Sequence, residues 1–85
     1  MLSNEIKAEV RASVDVMTPS VIVEAIATQL KTARDARARI EEEGTVVRDM
    51  GGRVIPHPAI KIEADAIKLY ADLIKKHQKR LTKGR

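Results

Sequence analysis

Apolar residues near the start of the chain recur every three or four positions, the spacing that aligns side chains along one face of a helix. This first stripe consists of Ile6, Val10, Val14 and Met17. Ser3 or Asn4 can cap the helix, and Glu5 places a carboxylate in the first turn, where the helix dipole favours it. The pattern therefore predicts a short helix over residues 4–16.

A second, longer apolar stripe follows a helix-start signal at Thr18 and Pro19. A capping hydroxyl followed by proline at the first helical position suits a helix N-terminus, because that position needs no amide donor. The stripe consists of Ile22, Ile26, Leu30, Ala33 and Ile40. Gly44 provides an end signal, so the pattern predicts a helix over residues 20–43, about 36 Å long.

The pattern then changes from helical spacing to two short β-branched segments, at residues 45–48 and 53–55. They flank the connection Asp49-Met50-Gly51-Gly52. The two glycines can adopt the positive φ angles that a tight hairpin turn requires. A small β-hairpin is therefore predicted here.

The last apolar pattern predicts a third helix, from Pro58 to about residue 80. Pro58 suits the first helical position, which places His57 at the N-cap. One apolar face consists of Ile62, Ala66, Leu69 and Leu73. A second, nearly opposite face consists of Ile60, Ala64, Ile67, Ala71 and Ile74. Because the second helix can cover only one face, the other is expected to meet another copy of the chain. The candidate interface residues are therefore Ile60, Ile62, Ala64, Ile67, Leu69, Ala71, Leu73 and Ile74.

These elements together predict a mainly α fold. A short N-terminal helix at residues 1–17 precedes a long antiparallel helical hairpin at residues 18–80, with a small β-hairpin inserted at residues 45–56 between its two long helices. A basic tail follows at residues 81–85. Four residues are assigned as structural junctions: His57, Pro58, Gly51 and Gly52.

Composition supports packed helices that associate with a partner. A chain of 85 residues buries only about 60 to 65% of the surface that it exposes when unfolded. It has one tyrosine and neither phenylalanine nor tryptophan, so its core must consist of Ile, Val, Leu and Ala. It has no cysteine, which excludes disulfides and thiolate metal sites, and no apolar run long enough to cross a membrane.

The net charge of +4 comes from the end of the chain, because residues 75–85 contain no acid. The candidate DNA-binding residues lie there: Lys75, Lys76, Lys79, Arg80, Lys83 and Arg85. Such cations contact phosphates and give little sequence selectivity. The alternatives are a solvated face that only aids solubility and a docking segment for a protein partner.

Nothing in the sequence assembles into an active site. His57 lacks a nearby nucleophile, the nearest acid is expected to be Asp49 across the hairpin, and His77 lies some twenty residues along the helix. His57 is therefore interpreted as a junction residue, which either caps the amides of the third helix or packs at the base of the hairpin. The acids at 41–43 are interpreted either as a solvent-exposed face or as a row of salt bridges between subunits. Gly51-Gly52 is interpreted as a turn, because the spacing of a phosphate-binding loop is absent. We expect no enzyme activity, no cofactor and no metal.

The order of these elements resembles the small subunit of phage terminases. The resemblance rests on ARIEEEG, then TVVRDMGGRVIP, then His57-Pro58 opening the helix HPAIKIEADAIKLYADLIKK, and it covers residues 25–76. It implies a homo-oligomeric ring that recognises double-stranded viral DNA in the cytoplasm of the infected host cell. It also implies regulation of the large terminase subunit, which holds the ATPase and nuclease, by a small subunit that catalyses nothing.

The chain departs from this family at its start. Many small terminase subunits carry an N-terminal helix-turn-helix domain, whereas only about 19 residues precede the second helix here. The first two helices could mimic that motif, but the first offers only Lys7 and Arg11 to phosphate. An alternative function is a small helical regulator that binds a phage nuclease or another protein and does not bind DNA itself.

Overall fold

The computed structural model describes residues 3–78, which form three helices and a two-stranded sheet. In chain order the elements are α1 (Asn4–Ser13), α2 (Ser20–Glu43), β1 (Val46–Arg48), β2 (Val54–Pro56) and α3 (Pro58–His77). They form an elongated body of 57 × 29 × 18 Å. The predicted mainly helical fold, with a small antiparallel sheet between the two long helices, is confirmed.

Helix α1 begins as the sequence predicts and ends earlier. The Ser3 hydroxyl accepts a hydrogen bond from the backbone N–H of Ile6 at 3.2 Å, so Ser3 is the N-cap. The helix ends at Ser13 rather than at residue 16, because Val14 is extended and pairs with Gln78 as an isolated antiparallel bridge. The backbone N–H of Asp15 then donates to the carbonyl of His77 at 2.8 Å. These bonds tie the end of α1 to the end of α3.

Helix α2 has the predicted bounds but not the predicted cap. Pro19 itself is the N-cap, and no side-chain hydrogen bond caps the helix, so the expected capping role of the Thr18 hydroxyl is wrong. At the other end Gly44 has φ 90°, and its N–H donates to the carbonyl of Ile40 at 2.7 Å. This positive φ is unfavourable for residues with a side chain, which explains glycine at this position.

The β-hairpin forms within the predicted residues 45–56, and each of its strands begins one residue later than predicted. Val46 pairs with Pro56 and Arg48 with Val54, in antiparallel register. The turn is held by Asp49, whose carboxylate accepts hydrogen bonds from the backbone N–H groups of residues 51 and 53, both at 2.9 Å. Gly52 has the positive φ, at 84°. The hairpin thus returns the chain to the end of α2, where α3 begins.

Two apolar clusters hold the helices together. The larger one joins all three helices and consists of Val10, Val14, Val23, Ile26 and Ala27, with Ile6, Ile22, Leu30, Tyr70, Leu73 and Ile74 packed against it. The smaller one, near the hairpin, consists of Ala36, Ile40 and Ala59. Small side chains here let α2 and α3 approach closely. The two long helices therefore lie against each other along their length.

Candidate functional site

Helix α3 packs through an arc that includes Ala66, from one of the two apolar faces proposed from the sequence, and otherwise lies between those faces. Its buried residues are Ala59 and Ala66, and Glu63 and Tyr70 on the same arc are partly buried. The sequence pattern did not identify this arc as a single face, because it includes the acid Glu63 and an aromatic residue. The helix consequently has an apolar flank on each side of its buried arc.

The candidate interface residues are divided between the core and these flanks. Leu73 and Ile74 pack against the larger apolar cluster of the chain itself. The other six are exposed: Ile60, Ile62, Ala64, Ile67, Leu69 and Ala71. Ile67 and Leu69 retain 49% and 50% of their accessible surface, so each flank presents large apolar side chains to water.

A groove runs between α2 and α3 along one of these flanks. Its apolar lining consists of Leu30, Ala33, Ala38 and Ile67, and its volume is about 320 Å³. Two of the four are alanines on α2, and these small side chains leave space between the helices. The groove can therefore receive apolar side chains from outside the chain.

Two arginines of α2 form the rim of this groove. Arg37 donates two hydrogen bonds to the carboxylate of Glu63 on α3, at 2.8 and 2.7 Å. Arg34 bonds in the same two-fold manner to Glu9 on α1, at 2.8 Å for both contacts. These bonds raise the pKa of both guanidinium groups and lower the pKa of Glu9. These two arginine–carboxylate pairs therefore connect α2 to α1 and to α3 at the protein surface.

His57 occupies the N-cap of α3, as the sequence predicts, and its side chain is 2% exposed. Its Nδ1 accepts a hydrogen bond from the backbone N–H of Ala59 at 2.9 Å. The ring proton must therefore be on Nε2, which donates to Glu43 Oε1 at 2.7 Å. The imidazole consequently links the end of α2 to the start of α3, with Glu43 rather than Asp49 as its acidic partner.

We expect the Glu43–His57 contact to make stability depend on pH. The hydrogen bond from His57 holds the pKa of Glu43 below its ordinary value of 4.5. A carboxyl group whose pKa is depressed on folding adds stability above its unfolded pKa and loses it as the pH falls through the folded value. The melting temperature of Glu43→Gln should therefore fall less steeply than that of the wild type below about pH 4.5, in circular dichroism from pH 7 to pH 3.

The control for this titration is Glu42→Gln, which removes the same charge from the neighbouring position and keeps the contact with His57. Its melting temperature should fall with pH below pH 4.5 as steeply as that of the wild type. If the melting temperatures of Glu43→Gln and of the wild type depended on pH in the same way, the Glu43–His57 contact would contribute nothing to folding stability.

The candidate DNA-binding residues fall at the end of the described structure. Lys75 and Lys76 are exposed in the last turn of α3. The other four lie outside the described residues: Lys79, Arg80, Lys83 and Arg85. Gln78, from which this segment continues, is fixed by its bridge to Val14. Gln78 therefore lies beside the connection between α1 and α2.

The two cations that α1 could offer to phosphate already have contacts within the chain. Lys7 Nζ lies 3.9 Å from the carboxylate of Glu24. Arg11 donates to the carbonyl of Thr18 at 2.8 Å and to that of Val16 at 3.4 Å. Arg11 therefore stabilises the segment between α1 and α2 through hydrogen bonds to its backbone.

Within residues 3–78, no three His, Asp or Glu side chains are grouped so that they could hold a metal ion. In the same part of the chain, no helix is both long enough and apolar enough to cross a membrane. A scan against protein-family models found no match, and searches of curated proteins and of solved structures found no significant match.

Proposed function

We propose that the chain is the small subunit of a phage terminase, a non-catalytic adaptor that forms a ring, recognises viral DNA and regulates the large ATPase and nuclease subunit. The order of motifs supports this proposal, and so does the architecture in which they lie. The helix ending in Glu41-Glu42-Glu43, the hairpin and the His57-Pro58 helix start occur in the expected order, at the boundaries of α2, the sheet and α3.

The observation that carries the proposal is the pair of apolar flanks on α3. Ile60 and Ile67 are 37% and 49% exposed on one flank, and Ile62 and Leu69 are 44% and 50% exposed on the other. A helix packed against a single partner needs only one apolar face, so α3 has more apolar surface than its own chain covers. Self-association would remove both flanks from water.

The end of the chain supports contact with DNA. Lys75 and Lys76 are exposed on α3, and the residues that follow Gln78 add four more cations without an acid. Cationic side chains that bind DNA phosphates release the counterions condensed on the DNA, which favours binding. If each subunit of a ring contributes such side chains, the overall affinity exceeds that of a single subunit. The proposed site of action is the cytoplasm of the infected host cell.

The proposal is tested by the mass of the intact assembly, measured by native mass spectrometry and by light scattering across a salt series. We expect one closed oligomer whose mass changes little with salt, because apolar flanks rather than exposed ion pairs hold it together. A chain that stays monomeric at micromolar concentration would contradict the proposal, because the flanks of α3 would then need no partner.

A second candidate function is a protein-binding regulator that does not contact DNA. The connection between α1 and α2 favours it, because Val16 and Met17 are 81% and 83% exposed there. Met17 lines a cleft with Lys76 and His77 at the end of α3. Asp15 also lines this cleft, so the exposed apolar side chains rather than a net charge favour a protein partner. A titration with labelled duplex DNA separates the two candidates, because only the terminase subunit is expected to bind it.

A further inference from the structure

The turn of the β-hairpin presents one large side chain to solvent. A hydrogen bond of 3.0 Å from the N–H of Gly52 to the carbonyl of Asp49 closes the turn, which places Met50 at its centre. The side chain of Met50 is fully exposed. Gly51 and Gly52 follow it, so the tip of the hairpin consists of a single apolar side chain beside bare backbone.

Two arginines lie on either side of Met50 and are held at the tip. A guanidinium nitrogen of Arg48 donates to the carbonyl of Gly52 at 2.9 Å, and Nε of Arg53 donates to the Asp49 carboxylate at 3.1 Å. Each of these bonds uses one of the five N–H donors of a guanidinium group. Both side chains are exposed, that of Arg53 to 84%. Two oriented cations therefore flank the apolar tip.

The one acid of the hairpin is already bonded. The carboxylate of Asp49 accepts hydrogen bonds from the backbone N–H groups of residues 51 and 53 as well as from Arg53, and its side chain is only 23% exposed. The acids at 41–43 precede Gly44, and at about 3.3 Å per residue the strand carries Met50 roughly 15 Å beyond them. This distance exceeds the Debye length of about 8 Å at physiological salt, so the tip acts as a cationic surface.

The shape and charge of this tip match the minor groove of duplex DNA. The groove is about 6 Å wide, which admits one side chain, and its negative potential attracts arginine. Proteins that bind it insert an apolar side chain such as methionine between two base pairs, which unstacks them and kinks the duplex. The glycines beside Met50 let the backbone approach the DNA closely. The hairpin therefore has both the apolar wedge and the cations that this mode of binding requires.

We infer that the tip of the hairpin enters the minor groove of duplex DNA, with Met50 inserted between two base pairs and Arg48 and Arg53 beside it in the groove. This inference rests on the proposed DNA recognition and adds a second contact surface to it. The terminal cations contact phosphates of any sequence, whereas insertion is easiest at flexible pyrimidine–purine steps such as TA. The hairpin would therefore give the subunit a preference for deformable DNA.

The test measures base unstacking by the intact chain. The probe is a short duplex in which 2-aminopurine replaces the adenine of a central TA step, because this base fluoresces more strongly when it is unstacked. We expect the wild type to raise the fluorescence and Met50→Ala to lose most of that rise at saturating protein. The double substitution Arg48→Gln, Arg53→Gln should lower both the affinity and the rise. A chain that ends after Gln78 should bind more weakly and still give the rise at saturation.

The control is Met17→Ala, which removes a methionine that is 83% exposed beside the end of α3, whereas the hairpin adjoins its start. This variant should raise the fluorescence like the wild type, and circular dichroism checks that each variant keeps its helices. The inference is overturned if the wild type binds the duplex without the rise. It is also overturned if Met50→Ala gives the wild-type rise, which would leave the hairpin for a protein contact. A wild type that binds no duplex at low salt would overturn the proposed DNA recognition as well.

Discussion

Replacing Ile26 by alanine is expected to lower the free energy of unfolding by about 2 to 5 kcal/mol, the range seen when a large aliphatic side chain is removed from a close-packed core. Ile26 is 0% exposed and lies in the cluster that joins all three helices. Since small domains have only about 5 to 15 kcal/mol of stability, this change removes a large fraction of it. Urea denaturation at a fixed protein concentration measures the effect, because self-association makes stability depend on concentration.

Val21→Ala is the matched control, on the same helix and with a side chain that is 69% exposed. Its effect should stay within about 0.5 kcal/mol of the wild type, as is usual for surface positions. If Ile26→Ala cost no more than this control, the three helices would not share a close-packed core.

Ending the chain after Gln78 is expected to weaken DNA binding and to reduce its dependence on salt. The truncation removes four of the six candidate cations and keeps the bridge from Gln78 to Val14. The logarithm of the binding constant falls by about 0.9 per phosphate contact for each decade of salt. If all six cations contact phosphate, the full chain should lose about a thousandfold in affinity between 50 and 200 mM salt, and the truncated chain about tenfold. Fluorescence anisotropy with a labelled duplex measures both slopes.

The control for this titration is the double substitution Lys61→Gln, Lys68→Gln, which removes two exposed lysines from the same helix away from its end. It should retain the salt slope of the full chain. An unchanged slope after truncation would rule out the terminal cations as the contact surface. Absence of any binding by the full chain at low salt would favour the protein-binding regulator.

The order of elements could be predicted because each boundary carries its own local chemistry. Gly44 ends α2, Gly52 supplies the positive φ of the turn, and Pro58 follows the N-cap of α3. These are properties of single residues and need no knowledge of the rest of the fold. The early end of α1 was not predictable in this way, because Val14 leaves the helix to pair with Gln78, more than sixty residues away.

The candidate site could be predicted only where a residue's role depends on its neighbours in the sequence. The N-cap position of His57 follows from the proline beside it, and the structure shows its Nδ1 accepting a hydrogen bond from the N–H of Ala59. Its pairing with Glu43 depends on the hairpin bringing the ends of α2 and α3 together, which no local pattern encodes. The buried arc of α3 was missed for a similar reason, because Glu63 on that arc is compensated by Arg37 from another helix.

The bridge between Val14 and Gln78 also determines how an assembly would be oriented. It fixes the end of α3 at one end of an elongated body of 57 × 29 × 18 Å, while the β-hairpin joins the helices at the other. Copies that join head to tail into a ring all point the same way along its axis. Such a ring would be polar, because its two edges would be formed by different parts of the chain. Its two openings would then differ, and a duplex approaching along the axis would meet a different surface at each.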